Sequence, residues 1–141
     1  MAEIVLYSVF LLMAAWQDGK EKSISLWLFL VFGIAGFLIL IWSGPDNYDR
    51  LFGILPGVLL LVLSRVSGGA IGEGDGLFFV VGGIYMGFSA SITLLLYGAL
   101  LNGAVCAVIY LKGILAGEDR RKVTVPFLPC LVPVWIEMVA L

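Results

Sequence analysis

The stretch GLFFVVGGIYMGFSASITLLLYGALLNGAVCAVIYL, Gly76–Leu111, carries no charged residue. As a single helix it would measure about 54 Å at about 1.5 Å per residue. The hydrocarbon core of a bilayer is only about 30 Å thick. The stretch therefore reads as two helices joined by a tight turn at GFSAS, Gly87–Ser91. Around it, apolar segments alternate with short polar breaks. Ile4–Trp16 is followed by QDGKEKS, Ile24–Trp42 by SGPDNYDR, and Leu51–Val66 by a glycine-rich loop. Pro56 should kink the third of these segments. After KGILAGEDRRKVT comes Pro126–Leu141, which Pro129 and Pro133 should distort. The expected fold is all-α, a polytopic integral membrane protein of six transmembrane helices with no internal repeat.

Loop charges test that count. Alternating six helices puts Lys20, Lys22, Arg65, Lys112, Arg120, Arg121 and Lys122 on one side and Arg50 alone on the other. Such a bias marks the first side as cytoplasmic. Reading Gly76–Leu111 as one helix would carry the Lys112–Lys122 group across and erase it. Both termini then face outward, in a multi-pass protein of the cytoplasmic membrane.

Composition agrees. The 141 residues are 62% hydrophobic and 13% charged, against about 25% charged in a typical soluble domain, and the mean hydropathy is +1.12. A chain this short cannot bury that much apolar surface in its own interior, so residues 1–141 read as one membrane-embedded domain. The start, MAEIVLYSVFLLMAAWQD, lacks the basic region of a signal peptide and reads as a retained first helix. No histidine is present, which excludes zinc–histidine and Ser-His chemistry. Cys106 and Cys130 have no CxxC spacing and read as packing residues rather than a metal site or disulfide. No basic tract suggests a nucleic-acid partner. Trp16, Trp42 and Trp135 read as interface anchors, and Glu137 as interfacial.

Two acids fall on the cytoplasmic side of this scheme. Asp18 ends the first helix. Asp75 opens the fourth, directly after GGAIGEG. Paired carboxylates can share one water, one acting as general base and the other, kept protonated, as acid toward a carbonyl. Gly72 and Gly74 are expected to give the backbone before Asp75 conformations closed to other residues. On these facts alone a helix cap is the commoner role for Asp75, and Asp18 reads equally well as a solvated loop acid beside Lys20 and Lys22. Asn102 is a further polar residue that could line a site, next to Gly103, which permits close packing. Glu73 lies inside the GEGD motif and is a candidate for the same lining or a solvated spacer.

Three signatures in order carry a resemblance. GEGD, Gly72–Asp75, looks like the Gly-x-Gly-Asp motif of membrane aspartic proteases. DGKEKSIS places Asp18 ahead of Ile24 with the spacing of Asp-x(5)-Ile-Pro-Asn. VPFLPCLVP, Val125–Pro133, matches a PFxP signature at Pro126, Phe127 and Pro129. Together they resemble the type IV prepilin peptidase family, over about Trp16–Pro133. The resemblance implies Asp18 and Asp75 as the catalytic pair, with Gly72 and Gly74 as motif backbone. It implies no cofactor and no metal, since water and two carboxyls suffice. The partners it implies are a prepilin-like or pseudopilin-like transmembrane precursor, cut on the cytoplasmic side between a basic leader and an apolar helix, and the lipid bilayer. The chain departs from the pattern at Ser25-Leu26, where the family has Pro-Asn, and at Leu77, where it often has lysine. It lacks the cysteine-containing cytosolic insert of larger members, so it resembles the small, peptidase-only type. The alternative is a non-enzymatic membrane protein, either an inactive homologue in pilus or secretion assembly or a small ion-coupled carrier. Placement of both acids at the membrane edge weighs against the carrier.

Overall fold

The computed structural model describes residues 1–118 and 125–141. Arg120, Arg121 and Lys122, which the charge argument uses, lie outside the described residues. The described residues form helices and no strand: α1 Ala2–Glu21, α2 Leu26–Trp42, α3 Tyr48–Phe52, α4 Leu55–Val66, α5 Glu73–Met86, α6 Phe88–Leu115 and α7 Leu128–Ala140.

The helix ends follow local chemistry. α1 outruns its apolar stretch and absorbs much of the first polar break. It stops where Lys22 turns left-handed (φ 52°) and its N–H bonds to the Asp18 carbonyl. The third apolar segment is two helices, not one kinked helix. Pro56 sits in the first turn of α4, where a missing N–H costs nothing, and the break falls just before it at Gly53-Ile54. The long uncharged stretch does fold back on itself, at Gly87 alone (φ 84°). α6 restarts at Phe88 and runs on through Lys112, so the polar loop after it is shorter than expected. Pro129 lies in the first turn of α7, and Pro133 is inside that helix.

α5 is the central helix, packed against α1, α2, α3, α4 and α6. Its Phe78 and Phe79 are fully buried, together with Tyr7 and Phe10 of α1. Full burial of such a side chain is worth about 1.5–3 kcal/mol. The Phe10 and Phe78 rings stack with centroids 5.0 Å apart, and the Tyr85 hydroxyl donates to the Phe32 carbonyl at 2.6 Å. α4 lies tightest on α5. The Gly53-x-x-x-Gly57 face lets the backbones touch, since a Cβ on Gly57 would run into the backbone of Phe79 and Val80, and one on Gly83 into that of Gly53. This is the small-residue packing of apolar helix pairs. α7 closes the bundle against α1 and α6. Trp135 corrects an expectation here. It is 9% exposed and donates from Nε1 to Ser8 Oγ at 2.9 Å, so it is a core residue, whereas Trp16 and Trp42 are exposed. Cys106 is exposed too, not packed.

By length and composition, the described helices supply one candidate membrane span, the 28-residue α6, where the sequence reading expected six. α2 and α7 are apolar but shorter. α4 and α5, with 12 and 14 residues, reach only about 18 and 21 Å. The break at Gly53-Ile54 and the glycine turn after α4 are what shorten them.

Candidate active site

A cavity of about 520 Å³ opens where the C-terminal end of α1 and the N-terminal ends of α5 and α7 meet the sides of α4 and α6. Asp18, Lys22, Gly72, Asp75 and Asn102 line it, with an apolar wall that includes Leu60, Leu95, Ala99 and Phe127. Asp18 and Asp75 thus arrive in one cavity from two helices.

Each acid is held differently. Asp18 stands in the last turn of α1, not in a loop, and its Oδ2 accepts the Leu128 N–H at 3.1 Å. It therefore caps the first turn of α7, where the helix dipole is positive. Asp75 lies in the first turn of α5, immediately before the uncharged run and at its polar rim. Burial pushes its carboxyl up to about 7, and the nearby Asp18 carboxylate pushes the same way. Both causes penalise the ionised form.

The loop before Asp75 is built differently from the expectation. Gly72 has φ −65°, open to any residue. Gly68 and Gly69 carry the left-handed conformations, at φ 66° and 90°. Gly72 instead gives room, since a Cβ there would come 3.2 Å from Asp75 Oδ2. A Cβ on Gly74 would make only ordinary contact with Ile24. Sequence reasoning missed Ser64, a buried hydroxyl on α4 that donates to the Ile71 carbonyl at 2.6 Å and pins this loop. A lone hydroxyl near the end of an otherwise apolar helix was the available signal.

Of the two lining candidates, Asn102 lies on the cavity wall and Glu73 does not; Glu73 is exposed at the start of α5. Where the resembled pattern has Pro-Asn, Ser25 keeps a proline-compatible φ of −65° as the residue before α2. Its N–H, which proline lacks, bonds to Gln17 Oε1 at 2.9 Å. Leu77, in place of lysine, packs against the hydrophobic core.

The fold and cavity describe an all-helical, strongly apolar protein with two carboxylates brought together at one end of its bundle. The sequence model of the type IV leader peptidase family matches residues 5–108. The chain belongs to that family. The matched region contains Asp18, Asp75 and Asn102 and ends before the PFLP segment. No curated protein and no solved structure matches the chain.

Proposed function

We propose that this chain is a membrane-embedded aspartic endopeptidase that removes the leader of prepilin-like or pseudopilin-like precursors at the cytoplasmic face, with Asp18 and Asp75 as its catalytic pair. The observation that carries the proposal is the shared cavity, in which Asp75 is held near neutrality by burial and by Asp18. Asp18 takes a proton from a water held between the two groups. The hydroxide attacks the scissile carbonyl carbon while Asp75 gives its proton to the carbonyl oxygen. The resulting diol collapses as Asp18 returns its proton to the departing nitrogen and Asp75 recovers one from a diol hydroxyl. The apolar wall suits a substrate cut beside an apolar helix.

The membrane arrangement belongs to the same proposal. Residues 1–141 form one embedded domain that crosses the bilayer several times, with both termini outside. The exposed surface supports this, since large apolar side chains such as Phe37, Ile41, Leu59 and Leu100 face outward. The cavity end carries Lys20, Lys22 and Arg65. At the opposite end Arg50 pairs with Glu3, which offsets its charge.

The test is co-expression with candidate precursors from the same genome, scored by the mobility shift of the shortened product. Asp18→Asn and Asp75→Asn should each abolish cleavage, with a loss of at least about 10³-fold, and the double variant should be little worse than either, because the two groups act as a unit. Glu73→Gln should retain most activity, as an exposed group outside the cavity. Processing by Asp75→Asn at near wild-type rate would refute the pair, whereas no processing of any candidate precursor by the wild-type protein would favour a non-enzymatic role.

A further inference from the structure

The proposed reaction leaves two polar side chains of the cavity, Lys22 and Asn102, without a task. Asn102 is the polar residue on a face of α6 that also gives Leu95 and Ala99 to the cavity wall; these three recur at helical spacing along one side. It lies at the right height. α5 and α6 run antiparallel from the turn at Gly87, and Asp75 and Ala99 each lie about 18 Å from it along their helices, with Asn102 about 22 Å. Asn102 therefore stands level with the lip that carries Gly72 and Asp75.

Its orientation is set from α7. The Cys130 thiol lies 3.6 Å from Asn102 Oδ1 and 3.9 Å from the Pro126 carbonyl. A thiol donates one proton, and the amide oxygen is the nearer acceptor. With its oxygen turned toward Cys130, the carboxamide turns its NH2 edge the other way. An extended peptide entering this cavity brings backbone carbonyls against Leu60, Leu95, Ala99 and Phe127, and a carbonyl buried there without a donor is costly. The side-chain donors the wall offers are the Lys22 ammonium and the Asn102 carboxamide, besides the proton on Asp75.

We propose that Asn102 is a substrate-binding residue whose NH2 donates to a backbone carbonyl of the peptide flanking the cleaved bond, and that Cys130 is a positioning residue that fixes the amide in this orientation. The inference rests on the two-aspartate reading above. Because Asp75 serves the reacting carbonyl, Asn102 serves a neighbouring one, and its hydrogen bond holds ground state and transition state alike.

The test is steady-state cleavage of a precursor by the purified, detergent-solubilised protein. Asn102→Ala should raise KM about 5–20-fold, the lower part of the cost of a buried carbonyl left without its donor, with kcat within about threefold and the pH dependence of the rate unmoved. Asn102→Leu keeps the size, adds no charge beside Asp18 and Asp75 and loses the donor, so it should raise KM at least as much; it keeps the question open to measurement if the alanine variant folds poorly. Cys130→Ser retains a hydroxyl donor and should keep a near wild-type KM, whereas Cys130→Val should share the defect of Asn102→Ala. A wild-type KM in both Asn102 variants, with Asp75→Asn inactive in the same assay, overturns the proposal and leaves the two-aspartate reading standing. A loss in Cys130→Ser equal to that in Cys130→Val overturns the positioning role. Cleavage by Asp75→Asn overturns the parent reading, and this inference with it.

Discussion

Asp18 Oδ2 accepts the backbone N–H of Leu128 at 3.1 Å, a bond between residues 110 positions apart. One carboxylate thus faces the cavity and also caps α7, tying the last helix to the end of the first. The two tasks separate by substitution. Asp18→Asn keeps an oxygen for the Leu128 N–H and should melt within a degree or two of the wild type. Asp18→Ala loses the cap, worth about 1 kcal/mol, and should melt a few degrees lower. Both should be inactive. Thermal unfolding in detergent beside the cleavage assay checks this, and equal melting of the two variants would show that the cap contributes nothing.

Asp75 makes stability depend on pH with a definite sign. Its folded carboxyl is raised from 3.8 to about 7, so the folded state disfavours the ionised form. The penalty is absent below about pH 4, grows as pH rises between the two values, and is complete above about 7. Asp75→Asn removes it. The variant should therefore melt with the wild type near pH 4 and above it at pH 8. On the proposed mechanism, with protonated Asp75 as the acid, cleavage should fall as pH rises through about 7. Wild-type and variant melting curves that stay parallel from pH 4 to pH 8 would show that the carboxyl is not raised.

The contrast between these two acids shows what the sequence could and could not reveal. Helix order and the fold-back within Gly76–Leu111 were legible, because a missing charge and a span-length limit act locally. Arrival of Asp18 and Asp75 at one end followed from counting helices. The bond from Leu128 and the pin from Ser64 were not legible, since each depends on helices meeting in space. The apolar pattern could not say which face of a helix is inside, because both faces are apolar; Trp135 was assigned to the lipid interface for that reason. Gly72 and Gly74 attracted the conformational role because they belong to the motif. The left-handed turn falls at Gly68 and Gly69, where the chain has to reverse after α4.

Glycine packing gives a paired prediction. A Cβ at Gly57 meets the backbone of α5, which cannot give way as a side chain would. Gly57→Ala should cost about 1–3 kcal/mol and lower activity, since α5 carries Asp75. At Gly103, within α6, nothing lies within 4 Å of an added Cβ. Gly103→Ala should gain about 0.5–1 kcal/mol from helix propensity alone. Thermal melts of the two variants should shift in opposite directions, and a shift of the same sign in both would contradict the close α4–α5 approach.

Topology gives the last prediction. Reporter fusions at Gly19 and Glu118 should read as cytoplasmic, and fusions at Asn47 and Ser89 as external. Gly19 adjoins Asp18 at the cavity end of α1, and Glu118 follows α6, whose last turn carries Lys112. Asn47 precedes α3 near the Arg50–Glu3 ion pair, and Ser89 opens α6 just past the Gly87 turn. Ser89 is the decisive site. It lies at the far end of α5 from Asp75, and the charge bias toward the cavity end holds only if α5 and α6 both cross. An external signal there puts the cavity, its two acids and the basic ends of α1 and α4 in the cytoplasm. A cytoplasmic signal at Ser89 would mean that the short α5 does not cross, and the site would then have to take its substrate from a different face of the membrane.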